Sequence, residues 1–328
     1  MATIELTPLL IDDISLDALE GSVPYSDEEA AKRYYNLSYS ATNLLHECPR
    51  KFQLYRLIPH AAREQSIHFT YGHAVGEGMQ MLFGGASMDD IILAMFLGWD
   101  MELDFVDLKA QKSFWHAVKA IENFAVTLQV TDLANWEPVY WEGKIAAELG
   151  FRMQLGEYYY RGFIDLVIRN KHTGEIAVLE CKTTGANYLN AATYGNSSQA
   201  LSYSLPLDQI FPDLSSYKVI YLVYMTQKQD WEVLPFEKHA HQRAKFIRDL
   251  IYEVRTIEMY KEADSWPERG SGCISFNRVC TFYGTCGQST ASLAPILPPV
   301  HDETTKYQFT FDLLEIIERQ LENVDEII

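Results

Sequence analysis

Two segments near the middle of the chain each carry an acid inside an apolar run: Gly162-Phe-Ile-Asp165-Leu-Val-Ile and Ile176-Ala-Val-Leu-Glu180-Cys-Lys182. Both are rich in β-branched and long apolar side chains and read as strands. Between them, Asn170-Lys-His-Thr-Gly174 is a short glycine-containing hairpin loop. Side chains alternate along a strand, so Glu180 and Lys182 share one face and Cys181 takes the other. The hairpin then brings Asp165 beside them. A charge within an apolar strand is costly unless it is paired or metal-bound. The fold must therefore place this hairpin inside a sheet, with two carboxylates and one ammonium converging. The competing reading is an ordinary surface hairpin, because the spacing D-x(14)-E-x-K alone occurs in many strands.

The surrounding pattern supplies a sheet for the hairpin to join. Residues 138–155 read as two strands or one bent strand. Tyr217–Met225 is a nearly continuous apolar strand, as expected mid-sheet, and Asp230–Glu237 is another. Helices are predicted from Ser38 or Ser40 as N-cap through Leu57, with Pro49 kinking or dividing the segment. Others are predicted over about 70–130, 197–210 and 238–262. The order of helices, strands, helix, strands, helix gives an α/β class with a helical insertion at about 70–130 and a core at about 138–262. Residues 1–36 read as an acidic surface arm, 288–308 as a proline-bearing linker and 309–328 as an acidic amphipathic helix. No apolar run approaches the ~20 residues of a membrane span. The N-terminus lacks the basic and apolar regions of a secretory signal, so the expected location is cytoplasmic and the membrane is no partner.

The two acids suit a hard divalent cation, Mg²⁺ or Mn²⁺. Such an ion polarises a phosphate and lowers the pKa of a bound water, while Lys182 orients that water or neutralises developing charge. With these residues in place, the segment 162–184 resembles the active-site hairpin of the RecB-like branch of the PD-(D/E)XK nuclease superfamily, which reads G-x-(I/V)-D, a hairpin, then (D/E)-x-K-T. That branch also carries Q-x-x-x-Y on a following helix, matched here by Gln199 and Tyr203. Four residues apart on a helix, both can face a substrate strand; a plain polar stripe is the alternative. The resemblance further implies an upstream helix reading G-x-x-x-H. This chain has Gly72 followed by Gly76 where the histidine is expected. Glu77 is the preferred substitute ligand and His73 the second. The resemblance covers about residues 37–287. It implies a restriction-endonuclease-like core, a mixed central sheet flanked by helices, and a metal-dependent DNA nuclease, most simply an exonuclease in recombination, repair or processing, of bacterial or phage origin.

Cys273, Cys280 and Cys286 form C-x(6)-C-x(5)-C, and Cys48 lies far upstream. RecB-like nucleases with an iron–sulfur cluster place one cysteine before the core and three after it. The resemblance thus implies a [4Fe–4S] cluster on Cys48, Cys273, Cys280 and Cys286; zinc and free thiols are the alternatives. Cys181 is excluded by its position facing the core.

The net charge of −18 excludes DNA binding through broad electrostatic attraction, which rests on Lys and Arg. Basic residues near the hairpin are few: Arg161 and Lys182, with Arg50, Lys51 and Arg56 upstream. A protein partner that supplies DNA affinity would reconcile acidity with nuclease chemistry, and the terminal helix is its expected dock. The alternative function is a non-catalytic, partner-dependent nuclease-fold subunit.

Overall fold

The computed structural model describes residues 36–57, 67–100, 112–211, 216–275, 278–288 and 309–313. The predicted arm and linker, with most of the terminal helix, lie outside them. Eight strands form the main sheet: β1 (Asn36–Leu37), β2 (Trp136–Pro138), β3 (Ala147–Leu155), β4 (Tyr158–Asn170), β5 (Ile176–Thr184), β6 (Ser216–Met225), β7 (Asp230–His239) and β8 (Phe309–Asp312). Their order is β8-β3-β4-β5-β6-β7, with β1 and β2 also paired to β4. Pairing is parallel for β8–β3, β1–β4 and β5–β6 and antiparallel elsewhere in the sheet. The sheet is therefore mixed, as expected.

The helices are α1 (Tyr39–Glu47), α2 (Pro49–Leu57), α3 (Ile67–Phe83), α4 (Met88–Gly98), α5 (Phe114–Val130), α6 (Ala191–Gly195), α7 (Ser198–Ile210) and α8 (Ala240–Glu262). Ser38 caps α1 by accepting from the Ala41 amide, and Pro49 divides the predicted long helix into α1 and α2. The hairpin loop is held by Asn170, whose side-chain oxygen accepts from the amides of His172 and Thr173. Gly174 closes it at φ +75°, a conformation favouring glycine.

Two apolar cores sandwich the sheet. On one face Leu45, Phe52, Leu205, Leu250 and Val254 from α1, α2, α7 and α8 meet Phe151, Val178 and Val223. On the other, Val75, Met79, Met95, Ile121 and Phe124 from α3, α4 and α5 meet Leu166, Leu179 and Leu222. The segment expected as a helical insertion is thus one whole layer of the sandwich. The predicted terminal helix is corrected at its start: Phe309–Asp312 is β8, paired with Phe151–Gln154 of β3. Phe311 and Leu313 are buried in the first core.

Candidate active site

The site forms where two paired strands separate. β4 and β5 pair from Arg169↔Ile176 to Leu166↔Leu179, and the ladder ends there. The next positions are Asp165 and Glu180. Beyond them β4 stays with β3, while β5 stays with β6 through Thr184↔Met225. β1 pairs with β4 at Tyr159 and Tyr160 on the far side of the split. Separation frees backbone groups at the vertex, and the Cys181 amide donates to Asp165 Oδ2 at 2.8 Å.

Lys182 Nζ donates to Glu180 Oε1 at 2.5 Å, and the lysine side chain is 37% exposed. Glu180 is almost fully buried, and its Oε2 has no hydrogen-bond partner. Burial pushes the Glu180 pKa up, opposed by the charge and the hydrogen bond of Lys182. Asp165 is pushed well above the usual carboxylate range by burial and by Glu180, opposed by Lys182 and the Cys181 amide. Burial works against the Lys182 ammonium, yet the charge and hydrogen bond of Glu180, with Asp165, hold its pKa above the usual lysine value.

Gln199 Nε2 donates to the Tyr203 hydroxyl at 2.6 Å. The pair stands close enough to the hairpin for the charges of Glu180 and Asp165 to act on the Tyr203 hydroxyl. Tyr203 is 4% exposed. A Cβ at Gly162 would sit 2.8 Å from the Phe151 ring and 3.6 Å from the Tyr203 ring. The glycine of G-x-I-D therefore lets β4 lie close beneath the ring of Phe151.

The upstream helix departs from expectation. A Cβ on Gly98 would lie 3.6 Å from Glu77 Oε2, so the Glu77 carboxylate turns toward the end of α4. His73 is exposed. Arg161 lies on β4, opposite Arg152 of β3. Arg50 is committed elsewhere: its Nε donates to the Cys286 carbonyl at 3.0 Å and its amide to Pro267 at 3.1 Å. Lys51 is paired with Glu47 at 2.9 Å.

Glu148, Gln80 and Tyr221 carried no sequence signal of a role, yet all three lie at or near the site. Tyr221 flanks Lys182, and burial pushes its pKa up to about 12. Among the described residues no three His, Cys, Asp or Glu side chains converge as a ready metal-binding group. Asp165 and Glu180 nevertheless fit a hard divalent cation. A buried carboxylate oxygen without a partner beside a second carboxylate is a donor set that such an ion satisfies.

The cysteine segments approach each other without their thiols grouping. A Cβ on Gly272 would meet Cys48 Cβ at 2.8 Å, and the Cys280 amide donates to the Cys273 carbonyl at 2.8 Å. Cys48 Sγ faces the Pro267 carbonyl at 3.9 Å. Burial and neighbouring Glu268 push the Cys286 thiol up to about 11.

Among solved structures, a candidate exonuclease from Eubacterium rectale is similar at 12% identity and a TM-score of 0.46, over 81% of this chain and 100% of its own. The protein named SSO0001 is similar at 14% identity and a TM-score of 0.35, over 85% of this chain and 97% of its own. No curated protein matches the sequence. Residues 36–287, well over half the chain, match the PD-(D/E)XK nuclease superfamily and contain the split hairpin with Asp165, Glu180 and Lys182. The chain belongs to the PD-(D/E)XK nuclease superfamily.

Proposed function

We propose that this protein is a Mg²⁺- or Mn²⁺-dependent deoxyribonuclease that hydrolyses phosphodiester bonds from DNA ends. The observation that carries the reading is the vertex of the split, where Asp165 and Glu180 share one buried place with Lys182 and Glu180 Oε2 lacks a partner. Asp165 and Glu180 would hold the ion. When bound, it supplies Lewis acidity toward the phosphate and lowers the pKa of a water. Lys182, a partly exposed side chain, orients the attacking water and meets charge developing on the phosphate. Lys182 holds Glu180 Oε1 in place, and the Gln199–Tyr203 pair lies beside the two acids. Preference for ends over internal bonds comes from the resemblance to exonucleases of the RecB-like branch. Purified protein, incubated with end-labelled linear DNA and with closed circular DNA, should degrade the linear form in Mn²⁺ and neither form in EDTA. Rapid cutting of the circle would make it an endonuclease, and undiminished cleavage in EDTA would refute the metal.

A [4Fe–4S] cluster on Cys48, Cys273, Cys280 and Cys286 forms a second part of the proposal. Its support is the four-cysteine order and the contact between the segments around Cys48, Gly272 and Cys286. The thiols must rotate inward to serve. Anaerobically purified protein should be brown and contain iron and sulfide, and replacing Cys286 should bleach it. Colourless, iron-free protein would refute the cluster.

A further inference from the structure

The helix facing the split offers no ligand where one is most needed. Gly72, Gly76 and Gln80 lie four residues apart on α3 and share a face. One end of that face meets β5, where a Cβ on Gly72 would sit 3.6 Å from Thr183 Oγ1. The other end meets β3, where Gln80 Nε2 donates to Glu148 Oε1 at 2.8 Å. β4 runs between β3 and β5, so this face crosses the strand that carries Asp165. Gly76 lies midway, and a Cβ there would meet no described atom within 4 Å.

The strand beneath brings an acid to this place by an unusual route. β3 pairs with β4 at Ala147↔Leu166 and at Leu149↔Ile164. Glu148 is therefore opposite Asp165, at the one position between those pairs that forms none. Glu148 has φ +48°, in the left-handed region that a glutamate rarely adopts. The distortion reverses the alternation: Ala147 packs against the core under α3, and Leu149 belongs to the opposite core. Strain of this kind persists where surrounding structure imposes it, and it gathers at functional sites. The Glu148 carboxylate remains exposed, and its charge acts on both Asp165 and Glu180.

We infer that Glu148, oriented by Gln80, is a third carboxylate of the metal centre and acts on the ion through its water shell. The inference rests on the proposed metal-dependent function. Among the described residues no three carboxylates converge as a ready ligand group, and Mg²⁺ and Mn²⁺ sites commonly keep several waters between the ion and a nearby acid. Charge agrees: three carboxylates against the single Lys182 ammonium leave two negative charges, which one divalent ion balances. The buried Glu180 Oε2, without a hydrogen-bond partner, is a donor that such an ion would satisfy. Gln80 is a positioning residue, because it reaches the centre only through Glu148.

The test measures Mn²⁺ binding to the full chain without DNA, by electron paramagnetic resonance, with thermal melting to confirm that each variant folds. Outer-shell partners typically account for about 10- to 100-fold in metal affinity. Glu148→Gln, which keeps the size of the side chain, should weaken Mn²⁺ binding by about that factor. Gln80→Ala should weaken it less, and the double variant should bind no more weakly than Glu148→Gln alone, since Gln80 acts through Glu148. Unchanged Mn²⁺ affinity in folded Glu148→Gln would overturn the inference while leaving the proposed function standing. Additive losses in the double variant would overturn the positioning role of Gln80. If wild-type protein bound no Mn²⁺, the functional proposal would fail first, and this inference with it.

Discussion

Asp165 and Glu180 are two acids that burial and mutual repulsion disfavour in their charged forms, and the fold keeps them together. A divalent ion relieves both effects at once. Millimolar Mg²⁺ or Mn²⁺ should therefore raise the melting temperature of the wild-type protein. Ligand at a hundred times its Kd contributes about 2.7 kcal/mol, which for a domain of this size is on the order of several degrees. The double variant Asp165→Asn/Glu180→Gln should show no such rise. A differential scanning fluorimetry series with and without EDTA reads both effects. An equal metal-induced rise in the variant would place the ion elsewhere. A second residue-scale prediction concerns Gly162. A methyl there would press on the Phe151 ring, so Gly162→Ala should destabilise by about 1–3 kcal/mol, visible as a shifted urea midpoint. An unshifted midpoint would show that the ring yields freely.

At the scale of elements, the site exists because one hairpin opens. The alternation of apolar residues in 162–182 made the hairpin, its loop and the shared face of Glu180 and Lys182 legible in the sequence. The split was not legible. It follows from β4 and β5 each keeping a different outer neighbour, a choice made by long-range pairing that no local pattern records. Glu148 was missed for the same reason: its importance lies in register with Asp165 and in a left-handed backbone, and both belong to the assembled sheet. Glu77, preferred from the sequence as a ligand, turns its carboxylate toward the end of α4, an orientation that no local pattern records. Residues 309–312 were read as helix because Phe-Thr-Phe-Asp is too short to distinguish the two periods. As β8 they pair along β3 and bury Phe311 and Leu313. Phe311→Ala should therefore cost about 3–5 kcal/mol, measured by equilibrium unfolding. A loss within about 0.5 kcal/mol, the usual range for surface substitutions, would show that β8 is not part of the fold.

At the scale of the whole molecule, acidity sets the terms of substrate binding. With a net charge of −18, and with Arg50 and Lys51 engaged by the protein itself, few cations remain to meet phosphates near the split. Each phosphate contact contributes a slope of about −0.9 in log K against log salt on duplex DNA. The chain alone should bind DNA weakly in Ca²⁺, with a shallow slope corresponding to only a few contacts. A physiological partner would then provide the remaining affinity. Tight binding with a steep slope, in a fluorescence-anisotropy titration at several salt concentrations, would reveal a basic track and remove the reason for a partner. The layered architecture was readable from the order of helices and strands. The role of α3, α4 and α5 as a full layer was not, since which face of the sheet a helical segment covers depends on tertiary packing.

The proposed catalysis depends on one convergence of side chains, and single-turnover cleavage of end-labelled DNA in Mn²⁺ tests that convergence most directly. Asp165→Asn, Glu180→Gln and Lys182→Ala, each shown by melting to be folded, should each lower the rate by at least about 100-fold, the scale on which a single group stabilising developing charge acts. Turnover close to wild type in any two of the three would contradict the account.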